Sequence, residues 1–184
     1  MHILKDNIKK AFDDIENNFN YYTLPQWSQF PDIELYMDQV ISLLEKYLSI
    51  YYKTTGAEKT ITPSMINNYV KLGTIPAPVK KRYSKVHLAY LIIICTLKKT
   101  LDMATIQKII PVGISEEEVS KIYNSFVSNQ TKAFVKVNEY LKAANMPLLT
   151  GTEENTEKID NLVMQVASSA NIFKILTETL TKYE

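Results

Sequence analysis

Ser64, Asn67, Asn68 and Lys71 stand at i, i+3, i+4 and i+7, the spacing that gathers side chains on one face of an α-helix. Their chemistry suits a nucleic acid. An asparagine amide can pair bidentately with the adenine edge in the major groove, and a lysine can reach guanine or a phosphate. No acidic residue shares that face. Just beyond it lie Lys80, Lys81, Arg82, Tyr83 and Lys85, four cations and an aromatic ring that could follow a phosphate backbone or enter a minor groove. The whole stretch 62–85, TPSMINNYVKLGTIPAPVKKRYSK, holds five basic residues and no acidic one.

That local bias belongs to a wider asymmetry. The net charge is only +1, yet residues 53–99 hold nine basic residues and one acidic residue, Glu58, for a balance of +8; the remainder carries −7. A basic centre in an acidic frame is the footprint of an anion-binding face. A solvated lysine-rich surface would give the same totals, so the charge counts only together with the pattern of side chains.

Several elements must position these residues, and the pattern is helical nearly throughout. Thr62 is a good N-cap, Pro63 suits the first helical position, Ile61 and Ile66 can staple across the cap, and Gly73 stands where a left-handed residue ends a helix. These signals predict a helix over 63–72, about 15 Å long. Pro76 and Pro78 then force extended backbone, so Val79–Tyr83 is expected as a small β wing. Ser84 caps a helix to about Lys99, and Asp102 caps a short one over 103–110. Ser115 with Glu118 forms a capping box opening a helix over 116–144. A final helix is expected over 154–182, after a loop.

On the N-terminal side, Leu4, Ile8, Phe12, Ile15 and Phe19 predict an amphipathic helix over 3–20. Trp27 and Phe30 are expected to anchor a proline-rich link. Asp32 is read as the cap of a long helix over 33–52, and residues 53–60 as a loop. Seven-residue spacing runs through the last two helices. One seam is Val119, Tyr123, Phe126, Gln130, Ala133, Val137 and Leu141; the other is Ile159, Val163, Val166, Ala170, Phe173, Thr177 and Leu180. The two can pack as an antiparallel helical hairpin that completes the core, with some seam left for a second copy.

A resemblance now bears on these residues. The runs MINNYVKLGTIP, KRYSKVHLAYL and LKKTLDMATIQKII resemble the DNA-binding unit of MerR-type regulators, through Ile66, Tyr69, Gly73, Ile75, Pro76, Tyr83, Ser84, Leu88, Ile106 and Ile110. PDIELYMDQV, INNYVK and the KKRYSK run leading into LIIICTLKK are similar to a bacterial family catalogued as domain of unknown function 1836, over roughly residues 25–145. The resemblance implies a MerR-like winged helix-turn-helix. The MerR recognition helix has Arg and Tyr where this chain has Asn67 and Asn68, and its wing Arg falls on Lys81. The first helix of the usual unit is replaced by the longer 33–52 element.

Other classes are set aside on composition and motif. At 46% hydrophobic and 22% charged, the chain has the balance of a soluble globular protein. It lacks an uncharged apolar run of about 18 residues, and the N-terminus lacks a secretion-signal pattern. Cys95 is the single cysteine. Together these predict a cytoplasmic location with no membrane association. His2 and His87 have no neighbouring ligands in sequence, and no phosphate-binding glycine loop occurs, so no enzymatic activity, metal or cofactor is expected. The sequence specifies no small-molecule effector.

The expected fold is therefore all-α, with a MerR-like winged helix-turn-helix, a small β wing and a C-terminal helical hairpin. The expected segments are an N-terminal helix over 1–24, the winged unit over 25–112 and the hairpin over 113–184. The expected function is regulation of transcription by a homodimer bound to double-stranded DNA. The alternative is a protein-interaction adaptor that keeps the winged shape without binding DNA.

Overall fold

The computed structural model describes residues 10, 13–14, 22–53, 61–148 and 154–183. Most of the helix expected over 3–20 and of the loop expected over 53–60 lies outside the described residues. The described part is mainly helical: α1 (Met37–Tyr47), α2 (Ile50–Lys53), α3 (Pro63–Lys71), α4 (Lys85–Leu97), α5 (Met103–Ile109), α6 (Glu116–Leu148) and α7 (Glu154–Leu180). Internal contacts divide the chain into two compact units. One is residues 23–129; the other is 1–22 with 130–184.

Within the first unit, α4 is the centre. Its sequence, KVHLAYLIIICTL, is apolar all round, and every residue from His87 to Cys95 is buried. A helix apolar on all sides must be covered on all sides. α1 and α5 pack on α4, and α1 also packs on α3. Leu44, Leu48, Ile66, Ile106 and Val119 are fully enclosed in this core.

The caps expected from sequence form in most cases. Thr62 Oγ1 accepts from the Met65 N–H at 3.3 Å, and Asp102 Oδ1 accepts from the Thr105 N–H at 2.7 Å. The Ser115 N–H donates to Glu118 Oε2 at 2.9 Å while the Glu118 N–H donates back to Ser115 Oγ. These bonds hold the Glu118 carboxyl below its usual range, with the Ser115 hydroxyl as the largest cause. α3 ends in a Schellman motif: the Thr74 N–H bonds the Tyr69 carbonyl at 2.8 Å and the Gly73 N–H bonds that of Val70 at 3.0 Å. Gly73 has φ +64°, which only glycine adopts without cost.

The expected 33–52 helix is corrected in two ways. It starts at Met37 because Leu35 is extended, exchanging two 2.9 Å backbone bonds with Tyr83 in an antiparallel bridge. Asp32, expected as the cap, forms an ion pair with Lys85 instead, and the Tyr36 N–H is satisfied by Gln39 Oε1. The helix also breaks after Tyr47. Leu48 and Ile50 are both buried, and residues two apart point to different sides of a continuous helix; the break lets both enter the core.

The expected wing contains no strand among the described residues. It is a turn, with Val79 and Arg82 bridged and the Arg82 N–H bonded to the Val79 carbonyl at 2.9 Å. With Pro76 and Pro78 unable to donate, too little backbone remains on either side for a longer ladder.

The anchors around the proline-rich link are aromatic. Phe30 is buried, with its ring 4.9 Å from that of Tyr123, and Trp27 packs on both. The Tyr123 hydroxyl donates to the Pro25 carbonyl at 2.9 Å in the interior, and the Asn124 side chain accepts from the Trp27 N–H at 3.0 Å. Burial pushes the Tyr123 phenol far above its ordinary range. The α6 seam is buried at Val119, Tyr123 and Val127 rather than at Phe126, which is half-buried. Farther along, Gln130, Phe134 and Asn138 are half-buried while Ala133 and Val137 are exposed. The covered positions 119, 123, 127, 130, 134 and 138 step by four and three, a course that departs from a strict seven-residue repeat.

In the second unit, the Tyr22 and Phe134 rings meet edge to face at 5.4 Å. The Tyr140 hydroxyl donates to Gln165 Oε1 at 3.2 Å, linking α6 to α7.

Replacing Tyr123 with Phe leaves the buried Pro25 carbonyl without its donor. A loss of about 1–3 kcal/mol is expected, measured as a lower urea midpoint with an unchanged slope.

Candidate nucleic-acid interface

α3 has one inner and one outer side. Ile66 and Tyr69 are buried. Ser64, Asn67, Asn68 and Lys71 are all exposed, as their spacing requires once the apolar positions turn inward. Tyr69 is itself fixed: its hydroxyl accepts from Lys98 Nζ at 3.3 Å, and that ammonium lies 5.9 Å from the ring centroid. Lys98 therefore serves the back of α3.

The turn that follows is built from residues that do not favour it. Lys80 and Lys81 have φ values of +49° and +62°. Two positive φ values at the centre of a two-residue hairpin turn are the type I′ pattern, normally filled by Asn-Gly. Lysine in this region costs on the order of 1 kcal/mol per residue. Both side chains are exposed, and among the described residues no carboxylate pairs with Lys71, Lys80 or Lys81. Val79, beside them, is also exposed.

Arg82 and Tyr36 meet at the base of the turn. The guanidinium lies 4.6 Å from the Tyr36 ring centroid, and Arg82 Nη2 donates to the Tyr36 hydroxyl at 2.8 Å. Tyr36 was not legible as a site residue, since 46 positions separate the pair. The planar guanidinium presents a flat face to the ring as well as a fork of donors, whereas a lysine ammonium is a point charge.

Two residues expected at the surface do not join it. Tyr83 is only 3% exposed; its backbone makes the bridge to Leu35, and burial raises its phenol. Lys85 is neutralised by Asp32 and largely covered. The exposed group is Ser64, Asn67, Asn68 and Lys71 on α3 with Lys80 and Lys81 on the turn, and Arg82 half-buried at its base.

His87 links turn and core. It occupies the third position of α4, where a capping box usually has Glu or Gln. Its Nδ1 accepts from the Ser84 N–H at 2.9 Å, and Ser84 Oγ lies 3.0 Å away. The ring meets Tyr83 edge-on at 5.3 Å. Nδ1 is thus unprotonated and the ring is neutral, with its proton on Nε2, which has no hydrogen-bond partner. Burial lowers the imidazole from its ordinary value; the Ala77 and Pro76 carbonyls and the Glu34 carboxylate oppose that shift. The signal in sequence was the Ser-x-x-His spacing at a helix start.

Cys95 is buried, and burial pushes its thiol up to about 11. Among the described residues no group of three or more His, Cys, Asp or Glu side chains could hold a metal ion. No helix of the described residues is long and apolar enough to cross a membrane.

The fold and surface define a mainly helical protein that exposes an acid-free polar helix face and a lysine-tipped turn. The chain belongs to the family described as a domain of unknown function, DUF1836, which matches residues 25–126. No curated protein and no solved structure matches it.

A depressed imidazole favours the folded state above its unfolded value of about 6.5; that contribution is lost as pH falls through the folded value. The thermal midpoint should therefore drop from pH 7 to pH 5. His87→Gln keeps an acceptor for the Ser84 N–H and removes the titration, so its midpoint should change less over the same interval. Calorimetry at both pH values checks this.

Proposed function

We propose that this protein binds double-stranded DNA and regulates transcription, with α3 entering the major groove and the 79–82 turn acting as a wing on the backbone in the manner of MerR-type units. Support comes first from one observation: the four polar residues of α3 are all exposed, with no acidic residue among them. The turn adds two bare cations in a left-handed backbone. Asn67, Asn68 and Ser64 would read base edges, Lys71 would reach guanine or phosphate, and Lys80 and Lys81 would contact phosphate. Arg82, held by Tyr36, would set the orientation of the wing.

A second reading, a protein-interaction adaptor on the same scaffold, draws on the exposed apolar side chains of Ile33, Leu72 and Val79. The two readings differ in what they predict for salt. If Lys71, Lys80, Lys81 and Arg82 neutralise about four phosphates per copy, affinity should fall with a log–log slope of about −3.6. An adaptor would show no such DNA binding.

The test is selection of bound fragments from the source genome at two salt concentrations, followed by gel shifts. Enrichment of one sequence class, weakened by salt, is expected; recovery indistinguishable from the input pool counts against DNA recognition. Asn68→Ala should relax sequence choice, whereas Lys81→Ala should weaken all sequences alike. The double change Lys80→Asn with Lys81→Gly separates charge from fold. It installs the preferred type I′ pair and should stabilise the chain by about 1 kcal/mol, while DNA affinity falls. A parallel loss of stability and binding would refute the assigned role of the turn.

A further inference from the structure

His87 stands where the two parts of the exposed surface are joined. The segment leaving α3 passes it at Pro76 and Ala77, the turn reaches it through Tyr83 and Ser84, and Glu34 approaches it ahead of α1. The ring is only 6% exposed. Its Nδ1 accepts from the Ser84 N–H at 2.9 Å, so the closed arrangement requires a lone pair on that nitrogen. The other nitrogen, Nε2, is buried without a hydrogen-bond partner. A histidine whose bond depends on its neutral form, in a place where glutamine would serve at every pH, is suited to sensing acid.

We propose that His87 is an acid-operated latch: a proton from solvent at Nδ1 expels the Ser84 N–H, opens the start of α4 and unfastens the 79–82 turn. The imidazolium donates at both nitrogens and accepts at neither. Its Nδ1–H can turn to Ser84 Oγ, 3.0 Å away, but the Ser84 N–H then faces a donor and loses its acceptor. The charge also lies in the first turn of a 13-residue helix, where the macrodipole disfavours a cation. Ser84 follows Tyr83, whose N–H and carbonyl hold Leu35 through two 2.9 Å bonds. Those bonds fix the base of a turn in which Lys80 and Lys81 have positive φ. Loosening the base lets the two lysines relax to negative φ.

The neighbours leave the ring free to titrate. From ahead of α1 the Glu34 carboxylate favours the imidazolium, as do the Pro76 and Ala77 carbonyls, which close no bond to Nε2. From the turn Tyr83 presents a phenol that burial keeps neutral, its ring 5.3 Å away. On α4, Lys85 is neutralised by Asp32. Burial opposes the charge and outweighs these groups, so the latch opens below the ordinary imidazole value of about 6.5.

The latch stands apart from DNA; its effect on DNA rests on the reading above. Nuclear magnetic resonance of the labelled full chain between pH 7.5 and pH 5 tests it. The His87 ring should titrate. With the same midpoint, the Ser84, Tyr83 and Arg82 amides should lose protection from hydrogen exchange by about fivefold relative to Ile92 in α4. His87→Gln keeps the acceptor without titrating, and its ratio should hold constant. On a DNA fragment selected at pH 7.5, wild-type affinity at pH 5.5 and fixed salt should fall by up to the same factor relative to His87→Gln. A ring that titrates while the Ser84 amide stays protected overturns the latch. So does a ring that stays neutral to pH 5, a uniform loss of protection across α4 and the turn, or the same acid response in His87→Gln. Loss of protection as expected, without a change in DNA binding, supports the latch and overturns the role of the turn in the reading above.

Discussion

The constraint on which the rest of the structure depends is the burial of α4. Nine consecutive residues, His87 to Cys95, have no side facing solvent. α4 holds more buried residues than any other helix of residues 23–129, each large apolar side chain enclosed stabilising by roughly 1.5–3 kcal/mol, and its neighbours must enclose it. α1 and α5 cover it directly. Its N-terminus is closed by the Ser84–His87 cap, and the Tyr90 hydroxyl donates to the Pro111 carbonyl beyond α5 at 2.7 Å. α3, whose Ile66 and Tyr69 are enclosed, is left with only its polar side facing outward. The exposure of Asn67 and Asn68 is thus a consequence of core packing and would follow for any amphipathic helix in that place. What packing does not explain is the choice of amides and a lysine, with no acid, in an element where asparagine is a poor helix former.

The turn carries a separate argument. A loop kept soluble by charge needs lysines near its tip; it does not need them at the two positions that demand positive φ. Asn-Gly there with lysines alongside would give the same net charge with less strain. Lys80 and Lys81 hold the strained positions because the surroundings fix the turn: the Leu35–Tyr83 bridge at its base, the Val79–Arg82 bond across it, and Arg82 stacked on Tyr36. Backbone strain that the surroundings must enforce is a recurrent property of functional sites. At a type I′ tip two adjacent side chains both project from the end of the hairpin, which puts two ammonium groups where a phosphate backbone could reach them.

Much of this was legible in the sequence because it is local. The ends of α3, the Asp102 cap and the Ser115–Glu118 box follow from residues within four positions of one another, and the structure forms each of them. The family was legible for the same reason, in continuous runs such as INNYVK and KKRYSK. Errors came where a distant partner decided the outcome. Asp32 reads as a helix cap until Lys85 claims its carboxylate, and Leu35 reads as helical until Tyr83 offers a bridge. Tyr83 reads as a surface aromatic beside three cations, yet its ring is needed in the core against His87. The left-handed turn had no local signal at all, since Val-Lys-Lys-Arg contains neither Gly nor Asn. Its conformation is imposed from outside the segment.

The division of the chain has a physical meaning that the family boundary sharpens. The match to residues 25–126 falls inside the compact unit 23–129. That unit has an enclosed apolar core, with Leu44, Ile66, Ile92 and Tyr123 fully buried, although Ile33, Leu72 and Val79 stay exposed at its surface. Residues 130–183 behave differently. Ile159 is buried, but Met164, Phe173 and Leu180 on the same helix are not, whereas Phe30 and Leu44 in the first unit are enclosed. The heptad spacing seen in the sequence is the same in α6 and α7, so spacing alone could not separate a seam closed within the chain from one left open. Burial separates them. A seam whose side chains stay in contact with water adds little to the stability of the chain that carries it, because the gain comes from the apolar area removed from solvent.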